Sequence, residues 1–241
     1  MKEKLLILTA FTVFCLTLYI SVIKAENNIV NVIAESDNQY DITVIVDAGH
    51  GGEDSGAVAF DNTYEKEINL SITKKITLLF DIFGINYVSL RNSDVALGDA
   101  SFPTVRERKV SDIYKRFEII NSYNNSVLLS IHQNFFPLEN YSGTQVFYSD
   151  SEEAEIIAQC IQNKIVKMLQ NTNTRKIKKT SKDIYLLDKA IRPSVMVECG
   201  FMSNNLELSL LKDKIYQQKM SYLITRGMMN YLYQKFLNNK S

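Results

Sequence analysis

Two histidines occur in the 241 residues, His50 and His132. Each follows an apolar run rich in β-branched residues. Ile42-Thr43-Val44-Ile45-Val46 leads into Asp47-Ala48-Gly49-His50-Gly51-Gly52, and Val127-Leu128-Leu129-Ser130-Ile131 leads into His132. Such runs read as buried strands. One histidine at a strand exit is unremarkable. Two, with carboxylates to match, point to a divalent-cation site, because neutral imidazole is the commonest metal ligand. The glycines beside His50 allow a sharp turn and are expected to leave open space next to the ring. A catalytic zinc takes three protein ligands and keeps one position open for water. Glu65, in the first turn of the helix that follows, completes the set with His50 and His132; its plainer reading is a favourable charge on the helix dipole. Asp47 and Cys199 are weaker alternatives for a ligand. Glu198 stands at the end of the apolar run Ser194-Val195-Met196-Val197. A carboxylate leaving a buried strand is costly unless it is paired or faces a cleft. Glu198 is therefore the candidate general acid/base, taking a proton from water whose pKa zinc lowers to about 7 and passing it to a leaving amine. Asn134, two residues beyond His132, is placed to orient a ligand or donate to substrate.

The elements that must position these groups alternate strand and helix. A helix over about 64–80 carries Ile68, Ile72, Ile76 and Leu79 on one face, with Asn62 or Thr63 as its N-cap. A strand over 85–90 leads to Arg91-Asn92-Ser93-Asp94. Thr104 and Glu107 form a capping box that opens a helix to about Tyr123. Further strands are expected at 127–131, 144–148, 184–187 and 194–198, and helices at 152–170, 205–211 and 216–237. This alternation predicts an α/β single domain, a central twisted and mostly parallel sheet covered by helices on both faces. If their strands are parallel, His50, His132 and Glu198 share the carboxyl edge, where such sheets bind ligands. The basic stretch 171–182, with Arg175, Lys176, Lys178, Lys179 and Lys182, reads as a solvated loop, with a rim for an anionic substrate as the alternative.

Lys plus Arg and Asp plus Glu are both 27, so the net charge is zero, and a nucleic-acid partner, which calls for a basic excess, is not expected. Lys2 and Lys4 precede an apolar run from Leu5 to Ile23. Residues 1–25 thus read as either a signal peptide or a retained membrane anchor, the run being just long enough to span a bilayer. Residues 26–40 read as a linker and 41–241 as the catalytic domain, outside the cytoplasm. Beyond the leader, Cys160 and Cys199 read as buried free thiols, not a disulfide framework.

Four separated segments, in this order, resemble the zinc-dependent N-acetylmuramoyl-L-alanine amidases (amidase type 3) of bacterial cell-wall metabolism: Val46 to Gly52, Glu65-Lys66-Glu67-Ile68-Asn69-Leu70, Ser130-Ile131-His132-Gln133-Asn134, and Val197-Glu198-Cys199-Gly200-Phe201-Met202-Ser203-Asn204. Arg91, Arg116 and Asn121 also look like family positions. The resemblance implies one zinc ion on His50, Glu65 and His132, Glu198 as catalytic acid/base, and peptidoglycan as substrate. Arg91 and Arg116, with Asn134, are the expected substrate contacts. Asp-Ala-Gly-His together with Ser-Ile-His-Gln-Asn looks most like the spore-cortex amidases of endospore formers, which strip peptide stems so that muramic-δ-lactam can form. Gln133 stands where the family commonly has a small residue, Cys199 where it has an aliphatic or Gly, and Ala48 where Pro is frequent. Some relatives carry an inhibitory helix after the strand ending at Tyr148; here the connection is too short. That implies restraint or activation by a separate envelope protein or lipoprotein. Two competing readings are another zinc peptidase acting on stem peptides and a catalytically inactive wall-binding scaffold.

Overall fold

The computed structural model describes residue 17 and residues 42–238. Apart from Thr17, the expected leader and linker lie outside the described residues. Among the described residues, six strands form one sheet in the order β2-β1-β3-β6-β4-β5. They are β1 (Thr43–Ala48), β2 (Tyr87–Ser89), β3 (Ser126–Asn134), β4 (Gln145–Tyr148), β5 (Lys178–Lys179) and β6 (Ser194–Phe201). β1, β2, β3 and β6 run parallel, and β4 pairs antiparallel with β6. The helices are α1 (Glu65–Phe83), α2 (Val105–Ser122), α3 (Glu152–Met168), α4 (Tyr185–Lys189), α5 (Asn205–Lys212) and α6 (Lys214–Asn238).

Side chains alternate across each strand, so both sheet faces need cover. Val44, Val46, Val127 and Leu129 face α1, α3 and α6 in the larger apolar core, with Ile72, Ile76, Ile157, Ile161 and Ile224. Ile45, Leu128 and Met196 face the other way, into a smaller cluster with Ile120 of α2 and Leu186 and Leu187 of α4. Among the described residues, no helix is long and apolar enough to cross a membrane.

Several local expectations change. Residues 185–187 open a helix with Ile184 as its N-cap, in place of the expected strand, because Leu186 and Leu187 both turn onto the sheet, which a strand cannot do with adjacent residues. The N-cap of α1 is Tyr64, with no side-chain cap; neither Asn62 nor Thr63 serves. In place of a cap, the first turn is held by backbone bonds, Glu65 N–H to Ala57 (3.0 Å) and Lys66 N–H to Ser55 (3.1 Å). The Thr104–Glu107 capping box is present. The strands carrying His132 and Glu198 continue past them, to Asn134 and Phe201.

Candidate metal centre and cleft

β1 and β3 run parallel in register from Thr43↔Ser126 to Ala48↔Ile131, and His132 lies opposite Glu198 on β6. The shared strand direction brings the predicted residues to one sheet edge. His50 leaves β1 with φ 63°, a left-handed conformation that is uncommon for a non-glycine residue. The glycines beside it do not leave open space. A Cβ on Gly51 would lie 2.3 Å from the Val95 carbonyl and one on Gly52 2.8 Å from the Ala96 nitrogen, so these residues permit close packing by the 95–96 segment. Gly49 and Gly56 make room for the site itself. A Cβ at Gly49 would sit 2.1 Å from His132 Nε2, and one at Gly56 2.5 Å from Glu65 Oε2.

Glu65 stands between the two imidazoles. Its Oε2 is 3.1 Å from His50 Nε2 and its Oε1 is 2.9 Å from His132 Nδ1. One ligand atom from each of His50, Glu65 and His132 falls within 4.8 Å of the others. Ala57 N–H donates to Oε2 (2.9 Å); Gln133 N–H (3.0 Å) and Asn69 Nδ2 (3.2 Å) donate to Oε1. Burial alone would raise the Glu65 pKa, but His132 and His50 outweigh it and hold the carboxyl well below its usual range. Burial disfavours charge on His50, yet Asp54 and Glu65 lift it to about 10. The pocket thus favours positive charge strongly, and a divalent cation satisfies it in place of protons. Two histidines and a carboxylate suit zinc chemistry.

Glu198 faces the same cleft, which encloses about 480 Å³. Its Oε2 is shielded from solvent and has no hydrogen-bond partner. Burial, then the nearby Glu65 charge, push its pKa up to about 7 against the opposing pull of His132 and His50. A carboxyl poised there can both accept and return a proton near neutrality. The folded chain supplies that buried oxygen with no partner, which is uncommon for a buried polar atom. Asn134 also lines the cleft.

The two expected arginine contacts are both engaged by the protein itself. Arg91 and Arg116 are each 3% exposed, and their guanidiniums are directed into the protein. Arg91 donates to the carbonyls of Ala48 (2.8 Å), Gly49 (3.0 Å), Lys66 (2.9 Å) and Ser93 (3.1 Å) and does not line the cleft. Arg116 lines the floor of the cleft, held there by donating to Asp47, to Asp112 (2.6 Å), and to the carbonyls of Ala48 (3.0 Å) and His50 (2.7 Å). Both fix the backbone that presents His50. Asp47 is accounted for in the same way, accepting from Ser130 (2.7 Å) and Arg116. Cys199 is buried in the larger core, away from the cleft, and its thiol donates to the Val197 carbonyl (3.7 Å). Asn69 and Asp54 were missed. Asn69 is four residues from Glu65, a spacing that places it on the same helix face.

A sequence profile described as N-acetylmuramoyl-L-alanine amidase matches residues 44–230. The chain belongs to the N-acetylmuramoyl-L-alanine amidase family. The germination-specific N-acetylmuramoyl-L-alanine amidase of Bacillus subtilis is 33% identical over 193 residues, covering 80% of each chain. The CwlD amidase of Clostridioides difficile, solved in complex with the GerS lipoprotein, is 39% identical with a TM-score of 0.76, covering 79% of this chain and 98% of that one. The amidase AmiC2 of Nostoc punctiforme is 30% identical with a TM-score of 0.66, covering 80% and 97%. As a member of this amidase family the chain is a peptidoglycan hydrolase, and the cleft just described is where its chemistry must be sought.

Proposed function

We propose that this amidase is zinc-dependent, that His50, Glu65 and His132 hold the ion, and that Glu198 is its acid/base in cutting the amide between the lactyl group of N-acetylmuramic acid and L-Ala. The convergence of three ligand atoms within 4.8 Å, beside a carboxyl whose Oε2 lacks a partner, carries this reading. A zinc ion bound there supplies Lewis-acid charge to a carbonyl oxygen and makes water a better nucleophile. Glu198, with its pKa near neutrality, takes the proton from the attacking water and delivers it to the departing L-Ala nitrogen. Asn134 is placed to donate to the substrate. Ile113, Tyr185 and Phe135 line the cleft around these groups.

The germination-specific and CwlD relatives support a role in spore-cortex maturation, carried out outside the cytoplasm. The GerS complex of the CwlD relative supports an envelope lipoprotein as partner. Mass spectrometry of peptidoglycan digested by the purified enzyme tests the reaction. Free stems beginning with L-Ala are expected. Stems cut internally would support a stem peptidase, and an undigested sacculus would support a binding scaffold. Deletion in the source organism tests the role: cortex lacking muramic-δ-lactam is expected, and normal cortex contradicts it.

A further inference from the structure

His50 and His132 are held by different means. His132 is part of β3, and its ring lies against Gly49 so closely that a single methyl there would overlap Nε2. Among the described residues no side chain is hydrogen-bonded to that nitrogen. His50 belongs to no helix or strand and has left-handed backbone geometry. Its Nδ1 lies 2.7 Å from Asp54 Oδ2, and the opposite nitrogen faces Glu65. Asp54 is itself fixed. Its backbone pairs with Gly51 in both directions (3.0 and 3.1 Å), Gly56 N–H donates to Oδ1 (3.3 Å), and Lys109 Nζ of α2 is 2.7 Å from Oδ1.

We infer that Asp54 is a positioning residue for His50: it keeps the proton on Nδ1, fixes the plane of the ring, and so reserves Nε2 for the cation, with Lys109 steadying it from α2. This rests on the zinc reading above. A carboxylate can only accept from Nδ1–H, so this contact selects one tautomer. Partners of this kind typically change metal affinity by about 10–100-fold. The neighbouring pair provides an internal control. Glu53 is held by Arg108 of the same helix (2.5 and 2.8 Å), one residue along on both sides, and has no contact with His50. Glu53–Arg108 therefore tethers the same loop to the same helix without touching the imidazole.

The test is zinc affinity by chelator competition and the visible spectrum of the Co2+-substituted protein, for the wild type, Asp54→Ala, Asp54→Asn, Lys109→Met and Glu53→Gln. Asp54→Ala is expected to weaken zinc by about 10–100-fold and to shift the Co2+ bands. Asp54→Asn, which keeps an acceptor oxygen without the charge, is expected to lose less, and it serves alone if the alanine variant does not fold. Lys109→Met is expected to have a smaller effect in the same direction. Glu53→Gln is expected to match the wild type in both readouts. If the Asp54 variants bind as tightly as the wild type, or Glu53→Gln weakens zinc equally, the inference is overturned while the zinc reading stands. A wild type that takes no zinc overturns both.

Discussion

On one face of the sheet, α1, α3 and α6 bury a large apolar layer including Ile72, Ile76, Ile157, Ile161 and Ile224, interspersed with uncharged polar groups such as Thr73, Gln162, Gln217 and Ser221. On the other, beneath α2 and α4, the apolar cluster is smaller, and Asp47, Arg91, Asp112 and Arg116 are buried beside it. Side chains like those of the first face each contribute roughly 1.5–3 kcal/mol on burial. Charges like those of the second repay their desolvation only when fully paired. The Asp47–Arg116–Asp112 group is paired, and it terminates on the backbone carbonyls of Ala48 and His50. The contrast teaches a division of labour: one face supplies stability, and the other uses buried charge to fix a strained loop in place.

Removing one member from each face sharpens the contrast most. Arg116→Met strands Asp47 and Asp112 and should cost about 3–5 kcal/mol in denaturant unfolding, and the surviving folded protein should hold less zinc. Ile161→Ala should cost about 2–5 kcal/mol with zinc per folded molecule unchanged. Equal zinc loss from both would erase the distinction.

A smaller effect of opposite sign is expected at the cleft. The native Glu198 pKa is raised from 4.5 to about 7, so its charged form is disfavoured by folding. The destabilisation is absent well below pH 4.5, grows as pH rises, and is complete above about 7. In metal-free protein Glu198→Gln should therefore gain up to about 3 kcal/mol at pH 8 and nothing at pH 4. A variant less stable than wild type at pH 8 would mean that this carboxylate is not strained.

On the apolar face, alanine in a helix normally gains about 1 kcal/mol over glycine. Gly227 of α6 should reverse this, because an added Cβ would lie 2.6 Å from Ile161 Cα on α3. Gly227→Ala should lose about 1–3 kcal/mol by thermal or denaturant unfolding, with the site intact. The smallest change is expected at Thr104→Ala, where losing the capping box of α2 should cost about 0.5–2 kcal/mol by the same measurement.

The residues of the proposed site were legible where residue type and strand exit coincide. His50, His132 and Glu198 were visible as polar groups ending apolar runs, and parallel strands then bring them to one edge. The alternation of elements was enough for the layered α/β fold. What was not legible depends on contacts distant in sequence. Arg91 and Arg116 are singled out only by the family resemblance; the folded chain shows them reaching carbonyls in β1 and the His50 loop. Residues 184–187 were apolar enough for a strand, but their burial against Met196 and α2 favours a helical turn. The space beside His50 was read from its glycines alone, and the 95–96 segment that fills it lies far along the chain.

Metal content and turnover on the same purified samples test the central claim most directly. The wild type should carry one zinc per chain and release stems that begin with L-Ala. Glu198→Gln should carry the same zinc with turnover reduced by about 10²–10⁴-fold, and His132→Ala should lose both. Full zinc occupancy in His132→Ala, or wild-type turnover in Glu198→Gln, would contradict the account.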